Sequence, residues 1–138
     1  MATPTVALSN SAPTDQAALN LVPLKQLLTD LVKVDGITTA VVVSRDGFVI
    51  DGVSNGNSLD LEAVGAVVSA GIGSNIAIGK ELHVGAIRQS MAEYEKGFIV
   101  ATLLGEAGAL AVVADLKANL GHVRYHVKKH AAIIGTLV

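Results

Sequence analysis

The chain has no cysteine and no tryptophan. That excludes disulfides, thiol nucleophiles and cysteine-ligated zinc, and it suits a cytoplasmic protein. Aromatic residues make up only 3%, too few to stack on nucleic-acid bases. There is no cationic excess either: ten Lys and Arg stand against twelve Asp and Glu, a net charge of −2. A nucleic-acid binder needs clustered cations to neutralise phosphates, so no nucleic-acid partner is expected. The opening MATPTVALSNSAPTDQ carries no Lys or Arg, and the first basic residue is Lys25. It therefore has neither the positive start of a secretory signal nor the arginines of a transit peptide. Ala2 stands where myristoylation needs glycine.

What is present is apolar bulk. Hydrophobic residues reach 51%, enough for the core of one domain. The Thr/Ser/Pro/Ala-rich stretch 1–17 reads as a disordered tail ahead of a domain over 18–138.

The longest uncharged run lies in LDLEAVGAVVSAGIGSNIAIGKE, from Leu59 to Glu81. Asp60 and Glu62 open it and Lys80 closes it, the polarity that suits a helix dipole. Ser58 or Asn57 is placed to cap it. Val64, Val68, Ile72 and Ile76 form one stripe at helical spacing, and Val67, Ala70, Ser74 and Ala77 form another. A helix apolar on most sides is covered on most sides. Gly65, Gly71, Gly73 and Gly79 together cost roughly 3–4 kcal/mol of helix propensity, which close approach of another backbone would offset. A sheet can cover one face, and a second copy of the same helix is the simplest cover for the other. A membrane span fits less well, because the run is short and diluted by Gly, Ser and Asn; no membrane insertion is expected. A phosphate loop fits poorly too. Its glycines sit inside the helical pattern rather than between a strand and a helix, and Glu81 replaces the required Ser or Thr.

Around this stretch the chain alternates. Asn20–Val34 is an amphipathic helix with Leu21, Leu24, Leu27, Leu28, Leu31 and Val32 on one face and Pro23 in its first turn. Ile37–Val43 and Phe48–Val53 are strands joined by the turn Ser44-Arg45-Asp46-Gly47. Val84–Tyr94, Phe98–Leu104 and Ala109–Ala114 are three more. Asp115–Val138 is a closing helix, with Asp115 as its cap and Leu116, Leu120, Val123, Val127, Ala131, Ile134 and Leu137 along one face. The order αββαβββα with hairpin-type links predicts a five-stranded, mainly antiparallel sheet of the α+β class.

Polar residues offer few sites. His122, His126 and His130 recur every four residues on the closing helix, a weak metal pattern. No carboxylate accompanies them nearby, and Arg124, Lys128 and Lys129 oppose a cation. The favoured reading is a basic, solvated flank that attracts acidic partner surface. Of the three arginines, Arg45, Arg88 and Arg124, Arg45 on its turn is the most exposed candidate for a transition-state finger; a solvated turn residue is the plainer reading. Nothing such as G-x-S-x-G marks a nucleophile, and no cofactor is expected.

Three stretches carry a resemblance. They are Gly36-Ile37 leading into Val41-Val42-Val43-Ser44-Arg45-Asp46-Gly47, Tyr94-Glu95-Lys96-Gly97, and Ala114-Asp115-Leu116-Lys117-Ala118-Asn119-Leu120-Gly121 followed by Val123-Arg124-Tyr125. In this order and spacing the chain resembles the Roadblock/dynein light-chain-7 domain in its bacterial MglB-like branch. The resemblance implies a profilin-like architecture, with the long central helix on one face of the sheet and the terminal helices on the other. It implies a homodimer in which central helices pack together and third strands pair edge to edge. It also implies a non-enzymatic platform for small Ras-like GTPases, some of whose relatives stimulate GTP hydrolysis, the GTPase docking over the paired central helices. It gives no support to an arginine finger. Val64, Val67, Val68, Gly71, Ile72, Asn75 and Ile76 are the expected dimer and partner surface, with Asn75 able to bond its own copy across a two-fold axis. Two rivals remain: a small-molecule sensor of profilin or PAS type, which needs a pocket with convergent polar groups, and a purely structural subunit of a larger assembly.

Overall fold

The computed structural model describes residues 23–56 and 59–138. The tail expected at 1–17 and the start of the first helix at Asn20 lie outside them. The described part of that helix, α1, covers 23–32. Leu24, Leu28, Leu31 and Val32 are buried, the i, i+4, i+7 and i+8 positions of one face.

Five strands follow the β-branched and alanine-rich runs: β1 (Ile37–Ser44), β2 (Val49–Ser54), β3 (Gln89–Tyr94), β4 (Gly97–Leu103) and β5 (Gly108–Asp115). Their order across the sheet is β2-β1-β5-β4-β3. Every neighbouring pair is antiparallel, so the sheet is wholly rather than mainly antiparallel. The central strands β1 and β5 are buried along nearly their whole length, as strands covered on both faces must be. Alternation then sorts their side chains. Ala40, Val42, Val100, Leu110 and Val112 meet Leu24, Leu28 and Leu31 of α1 and Val123, Val127 and Ile134 of the closing helix α3 (Leu120–Ile134). Val41, Val43, Ala101, Ala109 and Ala111 face the long helix α2 (Leu61–Glu81). The alanines on that face let a helix lie close to the sheet.

Three boundaries differ from the sequence reading. The cap of α2 is Asp60, whose Oδ1 accepts from the backbone N–H of Glu62 at 3.0 Å; residues 57 and 58 are outside the described part. The strand expected over Val84–Tyr94 begins only at Gln89. Residues before it spend their hydrogen bonds closing α2, with the Val84 N–H donating to the Gly79 carbonyl at 3.0 Å, and His83 and Gly85 take positive φ. The β4 ladder is reached only when the Leu103 N–H finds the Arg88 carbonyl at 3.1 Å. Asp115 does not cap the last helix. It ends β5, and its Oδ1 accepts from Lys117 N–H at 2.9 Å in a local turn. The cap is Asn119, whose Oδ1 accepts from His122 N–H at 3.0 Å, and the helix stops at Ile134. Asn119→Ala is therefore expected to lower stability by about 1 kcal/mol and Asp115→Ala by less, as read by urea denaturation.

Candidate interaction face on the central helix

One face of α2 is seated on its own sheet. Val68 is buried among Val41, Val43 and Ala111, with Val64 and Ile72 packed beside it. Gly65 sets the approach: a Cβ there would lie 2.8 Å from Val49 Cγ2 and 3.2 Å from Val43 Cγ1. Gly79, at the other end, lets the chain that leaves the helix fold back on it, since a Cβ there would meet the Gly85 carbonyl. The helix is also tied by the Ser69 hydroxyl, which donates to the Arg45 carbonyl at 3.1 Å.

The opposite face is uncovered. Ala63, Ala66, Ala70, Ser74 and Ala77 are exposed, and so are Val67 at 66% and Ile78 at 51%. Gly71 and Gly73 have open space where a Cβ would stand. The four glycines thus have different surroundings: Gly65 seats the helix on the sheet, Gly79 meets the loop that leaves it, Gly71 is open to solvent, and Gly73 borders a cavity beside the helix.

The seven expected interface residues divide as well. Val64, Val68 and Ile72 belong to the sheet-facing stripe, and half-buried Ile76 continues it. Val67 and Gly71 lie on the uncovered face. Asn75 is half-buried, and its Nδ2 donates to the Gly71 carbonyl of its own helix at 3.1 Å. The uncovered face is the second stripe of the sequence pattern, so that signal was present. Its small residues gave it less weight than the valine and isoleucine stripe.

Between α2 and the sheet lies a cavity of about 230 Å³, lined by Val43, Ser69, Ile72, Ile76, Gly105 and Gly108 among others. Its polar neighbours are already paired. Ser69 is bonded to Arg45, Ser44 Oγ accepts from Phe48 N–H at 3.1 Å, and Arg45 Nη1 donates to Glu106 Oε2 at 2.9 Å. Arg124 is occupied too, its Nε donating to Gln89 Oε1 at 3.2 Å. Arg88 lines a wider groove with Arg45, Lys80 and Glu106 at the C-terminal end of α2.

The histidines sit on α3, across the sheet. His122 and His126 bring their Nε2 atoms to 3.2 Å. His130 is turned inward, its Nδ1 at 2.8 Å from the His126 carbonyl, so the three rings do not converge. Partial burial, then His122, His130 and Lys129, hold the His126 imidazole below the usual histidine pKa. Among the described residues no three His, Asp or Glu side chains gather as a metal-binding set.

α2 is long and apolar enough, by length and composition alone, to cross a membrane. Its glycine-seated contact with β1 and β2 uses the same helix as part of a folded sheet layer.

Comparison with known proteins places this geometry. The family model of the Roadblock/LC7 domain matches residues 23–114. An uncharacterised protein of Methanocaldococcus jannaschii is 38% identical over 108 residues, 78% of this chain and 93% of that protein. A solved structure described as MglB with tetrameric arrangement superposes with a TM-score of 0.78 at 20% identity, covering 88% of this chain and 89% of that one. The gliding protein mglB from Thermus thermophilus gives 0.76 at 21% identity, covering 91% and 90%.

Proposed function

This chain belongs to the Roadblock/LC7 domain family, a family of small-GTPase-associated regulators, and on that premise we propose that it is a non-enzymatic, cytoplasmic, homodimeric platform for a small Ras-like GTPase. The observation that carries the reading is the uncovered apolar face of α2. A contiguous apolar face of this kind marks an interaction site. A second copy supplies a self-complementary face across a two-fold axis, and the glycines and alanines allow the two backbones to come close. β3 is one of the two edge strands of the sheet, β2 being the other, and its Met91 and Tyr94 are about half exposed. Pairing two such edges closes both. The tetrameric arrangement of one structural neighbour, an MglB protein, supports oligomerisation as a property of this fold. The GTPase then docks over the paired helices. Any stimulation of hydrolysis is read as repositioning of the GTPase's own groups rather than insertion of an arginine finger; the exposed pair of Arg45 with Glu106 is too weak to hold that arginine in place.

The sensor reading has less support. The cavity under α2, about 230 Å³, is smaller than a usual ligand pocket of about 300–1,000 Å³; the groove at the C-terminal end of α2 reaches that range at about 710 Å³, but two of its charged groups, Arg45 and Glu106, are bonded to each other.

The glycines give a signed prediction. In the single chain, Gly71→Ala and Gly73→Ala enter open space and each should add about 0.8–1 kcal/mol of helix stability. At a helix–helix contact the added methyls hold the backbones apart. The double substitution should therefore stabilise a monomeric Val67→Arg background in urea while weakening dimerisation of the otherwise native chain in sedimentation equilibrium. Unchanged dimerisation would move the contact away from these glycines.

The test of function is capture from a lysate of the source organism, with tagged protein as bait under GTP-analogue and GDP loading. A small GTPase enriched in one nucleotide state supports the platform. A co-purifying small molecule without a GTPase supports the sensor, and other proteins without a GTPase support a structural subunit.

A further inference from the structure

We infer that His122 and His126 form a two-histidine site for a divalent transition-metal ion of the zinc class, spanning one turn of α3. The Nε2 atoms lie 3.2 Å apart. A tetrahedral ion with Zn–N bonds of about 2.0–2.1 Å holds two nitrogens roughly 3.3–3.4 Å apart. The nitrogens therefore stand at ligand spacing, and a turn of the two rings out of their edge-to-face contact would aim both lone pairs at one ion without a change of backbone. The i, i+4 placement on a helix supplies this spacing.

The protonation states are compatible with it. The short contact between two imidazole nitrogens is an N–H···N hydrogen bond when both rings are neutral. With His122 as donor, His126 carries its proton on Nδ1, which is buried and has no hydrogen-bond partner. Replacing the shared proton by a cation then leaves His126 unaltered. It asks only that His122, which is exposed, move its proton from Nε2 to Nδ1, where water solvates it. The buried Nδ1 is unpaired before and after, so it does not penalise binding. His130 takes no part, because its Nδ1 is held by the His126 carbonyl. Two protein ligands leave two positions to water.

Imidazole selects zinc, nickel or copper over magnesium and calcium, which prefer oxygen. The opposing cations on the same helix are Arg124, Lys128 and Lys129, all exposed, so their repulsion is screened by salt; Lys129, one turn beyond His126, is the one that acts on its ring. A bound ion would pin the first turns of α3 where Asn119 caps it. The site lies across the sheet from α2 and does not rest on the platform reading.

The experiment is calorimetric titration of untagged, chelator-treated full-length protein with zinc chloride, with magnesium chloride as control. It is followed by histidine side-chain NMR. The expected result is one zinc per chain and no magnesium binding, with His122 and His126 signals perturbed and His130 unmoved. His122→Gln and His126→Gln should each weaken binding by more than the 10–100-fold typical of losing only an outer-shell partner. Lys129→Gln should tighten it. His122 is exposed, so His122→Gln keeps the test valid should His126→Gln misfold. Absence of zinc binding by the native protein, or undiminished binding by His122→Gln, would overturn the assignment.

Discussion

Val68→Arg should destabilise the fold by about 3–5 kcal/mol, whereas Val67→Arg should leave it at native stability and reduce its solution mass to that of a monomer. The two positions are adjacent in sequence and chemically identical, but they differ in what covers them. Val68 is 8% exposed and sits among Val41, Val43 and Ala111. An arginine there has no anionic partner in the cluster. Breaking a buried ion pair, which also leaves a charge uncompensated, costs about 3–5 kcal/mol. Set against a usual domain stability of about 5–15 kcal/mol, that is enough to shift much of the population to the unfolded state at modest urea. Val67 is 66% exposed, so its arginine is solvated in the single chain and costs the fold almost nothing. In the proposed dimer the same charge is buried against a copy of itself, which disfavours association twice over. Urea denaturation followed by circular dichroism reads the first effect and sedimentation equilibrium the second. A folded, dimeric Val67→Arg would exclude the uncovered face of α2 as the dimer contact. A monomeric Val68→Arg of undiminished stability in urea would mean that the helix is seated the other way round.

The pair also marks where the sequence ceases to be informative. Helical spacing identifies both stripes of α2, and β-branched runs with Asp-Gly turns identify most of the strands, because these patterns come from local geometry. Which stripe meets the sheet is decided elsewhere. The β1 and β5 side chains on the α2 face include Ala109 and Ala111, and that layer accepts Val64, Val68 and Ile72, with Gly65 passing close to Val49. No rule internal to residues 61–81 contains that choice. The same limit explains the shortened third strand. Val84, Ala86 and Ile87 have a strand-like pattern, but Gly79 and Gly85 pack the chain back onto the end of α2, and the backbone bonds go there first. Asp115 and Asn119 are both residue types suited to a cap. Asp115 is held in the β5 ladder opposite Gly97, which leaves Asn119 as the first residue free to turn into the helix. The histidine contact was legible as i, i+4 spacing. Its 3.2 Å approach, and the exclusion of His130 by its bond to the His126 carbonyl, depend on rotamers that spacing does not specify.

Gly108→Ala should be among the most damaging single-methyl additions in the molecule. In sequence, Gly108 closes an ordinary turn after Gly105. In the structure it starts β5 opposite Ser44 of β1, and its carbonyl accepts the Leu104 N–H at 2.8 Å to close the β4–β5 hairpin. Its φ is +149°, and a Cβ would run into the backbone carbonyl oxygen of Val43. A flexible side chain could move aside, but this oxygen belongs to the central ladder. The methyl therefore brings backbone strain of about 1–3 kcal/mol and in addition pushes β5 away from β1. A loss of at least about 3 kcal/mol is expected. Gly105→Ala separates the two causes. Gly105 also has positive φ, +72°, but nothing lies within 4 Å of its would-be Cβ, so it should lose only about 1–2 kcal/mol. The consequence reaches the interaction face. Gly108 and Val43 line the cavity beneath Ile72 and Ile76, so displacing β5 there loosens the floor on which the C-terminal half of α2 rests. Hydrogen exchange should accordingly quicken at Ile72–Ile76 in Gly108→Ala but not in Gly105→Ala. Equal stability losses in the two variants would show that the ladder tolerates the methyl, and that α2 is seated independently of the β1–β5 junction.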